Sequence, residues 1–242
     1  MNITNKTVLI TGGGTGIGFS IAKALSGNGN QLILAGRRED VLKKAAAQLP
    51  QASYIVADIT KEEDVNKLVQ QVPSLDILVN NAGVATAQPL DSANGVYEKA
   101  KFEMDLNYLS VVRLIERLLP VLKASKEAAI VNVESVVSYL PSTFISTYSA
   151  TKAALHSYSQ ALRLVLQKTY PHIRVFEVFP PFVDTDMTKG VELDKLSPDV
   201  IASDLYAAMQ QEEYAVRSGK TKEVYALFHQ SPETALAQFN RV

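Results

Sequence analysis

The chain has 242 residues, 47% of them hydrophobic and 20% charged, with 24 Lys plus Arg against 25 Asp plus Glu and neither Cys nor Trp. A formal net charge of -1 gives no broad electrostatic pull toward nucleic acid or acidic lipid. The lack of Cys excludes a disulfide framework, a zinc-thiolate site and a thiolate nucleophile. The opening MNITNKTVLITGGG breaks its apolar run at Gly12, before a signal-peptide core can form, and no apolar run reaches the roughly 18 residues that span a bilayer. A cytoplasmic location is the default expectation.

Along the chain, β-branched runs alternate with helical periodicity, the signature of βαβ units. Strands are predicted over 7–11, 31–35, 54–57, 77–80, 129–133 and 174–178. The runs TVLI, LILA, DILVN and AAIVNV are continuously apolar, as strands buried on both faces require. Between them, Val65, Leu68, Val69 and Val72, or Leu155, Tyr158, Leu162 and Val165, have the spacing of helices covering a sheet. No linker or repeat interrupts the pattern. One doubly wound, Rossmann-type α/β domain over 1–242 is expected.

The first strand runs into TGGGTGIG, so Gly12, Gly14, Thr15, Gly16, Ile17 and Gly18 stand where a strand turns into a helix. Glycine there lets a pyrophosphate approach the backbone, and the free N–H groups at the helix start stabilise its charge. At the end of the second strand, Gly36 stands where NAD sites commonly have a ribose-binding acid, and Arg37 and Arg38 follow. Two guanidinium groups at a helix start oppose the dipole, a conflict that a cofactor 2′-phosphate would relieve, so NADP(H) is favoured over NAD(H). Glu39 and Asp40 leave open a carboxylate reaching the ribose instead. Further on, Tyr148 and Lys152 share a helix face in TYSATKAALHSYS, and Ser135 follows the strand AAIVNV. Hydride transfer to a ketone develops alkoxide character, which needs hydrogen-bond donors and a proton. Tyr148 and Ser135 can supply them, and a nearby Lys152 ammonium would favour the Tyr148 phenolate.

Together these parts resemble the short single-domain branch of the short-chain dehydrogenase/reductase family. TGGGTGIG resembles its cofactor turn, Asp58 (followed by Ile59) in VADIT its adenine-contacting acid, and NNAG, with Asn80, Asn81, Ala82 and Gly83, its sheet-stabilising motif. Asn107 in DLNYLS, with Ser135, Tyr148 and Lys152, matches its catalytic tetrad. The resemblance implies Tyr148 as acid/base and Ser135 as the group orienting the substrate oxygen. It implies Lys152 on the nicotinamide ribose and Asn107 in a water-linked proton relay. PPFVDTDM resembles the nicotinamide-contacting segment through Pro180, Val183 and Thr185, but Pro181 replaces the usual Gly and removes an N–H donor. Glu134 stands where the family often has Ser and is read as a solvated carboxylate or as a contact for a polar substrate. Within the family, PPFVDT and ATKAALHSYS look most like bacterial oxidoreductases encoded beside cell-wall D-alanylation genes.

The expected activity is hydride transfer between NADP(H) and a small carbonyl or alcohol substrate; the competing reading is a catalytically idle NADP(H)-binding regulatory protein. The substrate wall is expected from Tyr139, Leu140, Phe144, Ile145 and Phe182 with the loop 184–197, whose Asp184, Asp186, Glu192 and Asp194 read as solvated. His156, His172 and His229 lack metal-ligand spacing, and no Gly-x-Ser-x-Gly elbow suggests a hydrolase. No nucleic-acid or membrane partner is expected. A homodimer or homotetramer would bury the apolar surplus over 108–122 and 155–166.

Overall fold

In the computed structural model, which describes residues 1–87, 90–91 and 95–240, strand β1 (Thr7–Thr11) alternates its side chains between two cores. Val8 and Ile10 face one, Leu9 the other. β1 is central in a wholly parallel sheet of order β3-β2-β1-β4-β5-β6-β7. Its other strands are β2 (Gln31–Gly36), β3 (Ala52–Val56), β4 (Ile77–Asn80), β5 (Ala128–Val133), β6 (Ile173–Phe179) and β7 (Ala215–Arg217). The six sequence-predicted strands are all present, with β3 starting two residues earlier than 54. The seventh was missed because Ala-Val-Arg is too short to show a period.

Helices α1 (Gly16–Leu25), α2 (Glu39–Ala46) and α7 (Pro198–Gln211) cover the Val8 face. Helices α3 (Glu62–Gln70), α5 (Ser110–Ala124) and α6 (Ser146–Thr169) cover the Leu9 face. This is the doubly wound Rossmann-type arrangement. Its strand order reverses between β1 and β4, opening a crevice beyond the carboxyl ends of the strands. α4 (Val96–Met104) continues into α5 through a π-helical segment, Asp105–Leu109, an irregularity that often marks a functional position. After β7, α8 (Thr221–Gln230) and α9 (Pro232–Asn240) return toward the crevice. There Val224 and Phe239 pack on Val136, Val137 and Tyr148, and Asn240 holds the 141–143 loop by accepting from Thr143 N–H (2.8 Å) and donating to Pro141 O (3.0 Å). No helix among the described residues is long and apolar enough to cross a membrane.

Candidate active site

The crevice is a cavity of about 310 Å³ lined from the glycine turn to Tyr148 and Lys152. At its β1 end Gly12 adopts φ +64, and an added Cβ would lie 2.8 Å from Asn81 Nδ2, so any side chain there is both strained and obstructed. Gly14, Thr15, Gly16 and Ile17 also line the cavity. Thr15, the residue before α1, makes no side-chain cap, so the helix presents its N–H groups and positive dipole end to the cleft. Gly18 does not line it; an added Cβ would meet Gly12 O at 2.4 Å, so this glycine permits close helix–strand packing instead.

Thr11 Oγ1 accepts the N–H groups of Asn81 (3.0 Å) and Ala82 (3.1 Å), and Asn81 Nδ2 donates to Thr11 O (3.0 Å). Asn80 Nδ2 donates to Asn132 Oδ1 at 2.8 Å. NNAG thus ties β4 to its neighbours while Asn81, Ala82 and Gly83 form one cleft wall.

Gly36, Arg37, Arg38, Asp58 and Ile59 line the cavity beyond β2 and β3. Among the described residues neither arginine has an ion pair, whereas the Glu39 carboxylate accepts from Tyr54 Oη at 3.3 Å and lies outside the cavity lining. Burial raises the Asp58 pKa, but hydrogen bonds from the Thr60 hydroxyl and N–H, together with the charges of Arg37 and Lys61, bring it below the ordinary carboxylate value.

At the opposite end, Ser135 stands two residues beyond β5, and α6 brings Tyr148 and Lys152 to it. Ser135 and Tyr148 are each 9% exposed and Lys152 4%. Lys152 Nζ donates to Val133 O at 2.7 Å and lies 5.6 Å from the Tyr148 ring centroid. Burial lowers the Lys152 pKa to about 8 against an opposing effect of the Glu134 charge. Burial pushes the Tyr148 phenol well above its ordinary value; the Ser135 hydroxyl pulls it back and the Glu103 charge raises it further. Burial thus opposes the phenolate that a nearby Lys152 ammonium would favour, and favours the protonated phenol. Glu103, which sequence reading did not single out, is fully buried and accepts Thr86 N–H at 2.6 Å.

Asn107 sits in the π-helical segment beneath the cleft, outside its lining. Its Oδ1 accepts Val84 N–H (2.9 Å), and its Nδ2 donates to Val84 O (2.9 Å) and Thr151 Oγ1 (3.1 Å). Gly83 bridges it to the site, since an added Cβ would lie 3.1 Å from Asn107 Oδ1 and 3.8 Å from Lys152 Nζ.

Pro180, Pro181, Val183 and Thr185 line the remaining wall with Asp186, Met187 and Thr188. Thr188 Oγ1 donates to Val183 O at 2.6 Å, and Val183 bridges to Leu196, so the segment is held although Pro181 lacks an N–H. Of the expected substrate wall, the loop 184–197 contributes Thr185, Asp186, Met187 and Thr188 to the cavity lining, whereas Tyr139, Leu140, Phe144, Ile145 and Phe182 lie outside it. Leu140 is core, Phe144 is exposed, and Tyr139 stacks on Phe179 at 4.7 Å. Glu134 is not solvated either, because its side chain is fully buried against His156.

The cleft thus has a glycine-lined helix start, suited to a phosphate group, at one end and a Ser, Tyr and Lys at the other. Comparison with known proteins agrees. The short chain dehydrogenase family model matches residues 6–196. The uncharacterized oxidoreductase DltE of Bacillus subtilis is 39% identical over 195 residues, covering 78% of this chain and 76% of that protein. An uncharacterized oxidoreductase of Staphylococcus epidermidis is 32% identical over 217 residues, covering 86% and 93% respectively. Among solved structures, a short chain dehydrogenase from Burkholderia cenocepacia in complex with NADP superposes with a TM-score of 0.87 at 26% identity, over 98% of each chain. One from Burkholderia phymatum in complex with NAD has the same fold, with a TM-score of 0.87 at 20% identity over 97% of this chain and 96% of that one. The chain belongs to the short-chain dehydrogenase family, whose fold binds a nicotinamide cofactor.

Proposed function

We propose that this member of the short-chain dehydrogenase family acts as one catalytic unit that reduces a small carbonyl compound with NADPH. The observation that carries the reading is the convergence of buried Ser135, Tyr148 and Lys152 at one end of the cleft that starts at the glycine turn. The nicotinamide, when bound, supplies the hydride. The chain's own residues handle the proton: Tyr148 donates it to the developing alkoxide, and Ser135 donates a hydrogen bond to the same oxygen. The Lys152 ammonium favours negative charge nearby. One preorganised donor of this kind is worth about 10² to 10³ in rate. Asn107 is assigned to the backbone around Val84, through which it supports any proton relay indirectly.

For the cofactor, Arg37 makes the contact to a 2′-phosphate and Arg38 assists. Gly36 at the ribose position, two arginines without ion pairs among the described residues, and the commitment of Glu39 to Tyr54 support this. A charge-assisted hydrogen bond contributes roughly 1.5 to 3 kcal/mol, or about one to two decades of affinity. The parental enzyme is expected to have the higher kcat/KM with NADPH. Arg37→Ala should lose one to two decades of it with little change for NADH, and Glu39→Ala should leave the ratio unaltered. A parental preference for NADH removes the cofactor assignment and leaves the reductase reading intact. A screen of ketones and aldehydes with NADPH tests the latter, and binding without turnover on any of them would favour a regulatory protein.

We also propose a homodimer or homotetramer built through α5 and α6. Leu109, at the end of the π-helical segment that leads into α5, is 45% exposed, and Leu164 and Val165 of α6 are 68% and 57% exposed, more apolar surface than covering the sheet needs. Light scattering at micromolar concentration is expected to give a dimer or tetramer mass; monomer alone would sink the assembly.

A further inference from the structure

Behind Lys152 stands a group of charged side chains that proton donation by Tyr148 does not use. α6 carries Lys152, then His156 one turn later, then Arg163. β5 and β6 are paired with Asn132 opposite Glu177, and Glu134 immediately follows β5. His156 Nδ1 lies 2.5 Å from Glu177 Oε2, and Arg163 Nη2 lies 2.7 Å from Glu177 Oε1. Glu134 Oε2 is 3.3 Å from the same His156 Nδ1. That nitrogen has one proton, and Glu177 is the closer acceptor. Among the described residues, both Glu134 oxygens are left without a hydrogen bond although the side chain is fully buried.

A buried polar group without a partner costs about 1 to 3 kcal/mol, more when charged, so its presence calls for an explanation. The chain around it supplies one. Glu134 lies between Val133, whose carbonyl holds Lys152 Nζ at 2.7 Å, and Ser135, and all three line the cleft. Arg163 already supplies a cation to Glu177, so the cluster reads as a proton-sharing group rather than a metal cage. Of Glu134, His156 and Glu177, only His156 reaches solvent, its side chain being 19% exposed against 0% and 1%.

We propose that Glu134 is a positioning residue for Lys152: its carboxylate is the counter-charge that keeps the Lys152 ammonium protonated in the cleft, and His156 sets from the solvent side how much of that charge is present. The inference rests on the site reading given above. The other polar and charged groups facing the cluster fit this role. Asn132 Nδ2 donates to Ser159 Oγ at 2.8 Å. Tyr139 meets His156 edge-on at 5.3 Å, and its hydroxyl accepts from Arg217 Nε at 3.1 Å. Burial raises the Glu134 pKa and Glu177 adds to the rise, while the nearby charge of His156 opposes it. Burial alone would lower the His156 pKa, but the two glutamates raise it above the ordinary histidine value. Removing the His156 charge therefore protonates Glu134, and a protonated or absent Glu134 carboxylate lets Lys152 lose its proton at lower pH.

The test uses the full-length protein, with Glu134→Gln and His156→Asn compared against the parent from about pH 6 to pH 10, the range spanning ordinary His and Lys titration. Three readouts are followed: carbonyl reduction, NADPH affinity by nicotinamide fluorescence, and ring titration of His156 by NMR, assigned through its own variant. Both substitutions are expected to move the alkaline limbs of reduction and NADPH binding to lower pH by about one unit, and Glu134→Gln to lower the pH at which His156 titrates. Limbs that coincide with the parental ones in both variants overturn the proposal, as does a His156 titration indifferent to Glu134. If Glu134→Gln does not fold, His156→Asn decides on its limbs alone. If the parent reduces no carbonyl compound, the function proposed above fails, and the NADPH-binding limb with the NMR titration still decides this inference.

Discussion

Tyr148→Phe is expected to lower carbonyl turnover by about 10² to 10⁴, the usual contribution of a general acid, with fold and NADPH affinity retained. The ring is 9% exposed and packs with Val136, Val137, Ile145 and Val224, so removing one oxygen leaves the apolar packing in place. The oxygen itself is the sole loss. Because reduction needs the protonated phenol and burial favours that form, the parental reduction rate should not fall through the neutral range on account of Tyr148. Alcohol oxidation should rise with pH, as more of the phenol ionises. Steady-state kinetics in both directions, with NADPH binding measured alongside, checks this. Near-parental turnover by a variant that binds NADPH normally would take the acid role away from Tyr148.

The difference between what residues near in sequence and residues near in space reveal runs through the whole molecule. β1, β4 and β5 were legible because their continuous apolar runs can only be strands buried on both faces, and the glycine turn because it lies between a strand and a helix. Lys152 and Tyr148 were legible as one helix turn. Gly18 was read as part of the glycine turn, but its close contact with Gly12 O gives it a packing task rather than a place on the cleft wall. The π-helical segment at Asn107 leaves no mark in periodicity, since the apolar residues on either side continue a helical pattern. Glu134, His156 and Glu177 come from three separate elements, joined only by the pairing of β5 with β6 and the packing of α6 across them. Each alone looks like a surface charge. The part of the expected substrate wall next to Ser135 lies elsewhere for the same reason: Leu140 and Tyr139 are apolar or aromatic near Ser135 in sequence, but the turn after Ser135 directs Leu140 into core and Tyr139 onto Phe179.

Lys152→Ala should cost more than Tyr148→Phe, because it removes a charge that acts on both the proton donor and the cofactor. The ammonium is 4% exposed and anchored to Val133 O, so alanine leaves an unfilled buried space and an orphaned carbonyl as well as a missing cation. Turnover is expected to fall by more than the roughly 10² to 10⁴ of the acid alone, with a weaker NADPH affinity that Tyr148→Phe does not show. The pH profile separates charge from shape. Burial holds Lys152 near about 8, so in the parent the ammonium is present below that pH and is lost as pH rises through it. Reduction and cofactor binding should therefore both weaken on the alkaline side. In the variant there is no such group, and the residual rate should cross the same pH without that break. An unchanged NADPH affinity together with an unchanged alkaline limb would show that Lys152 neither holds the cofactor nor supplies the charge.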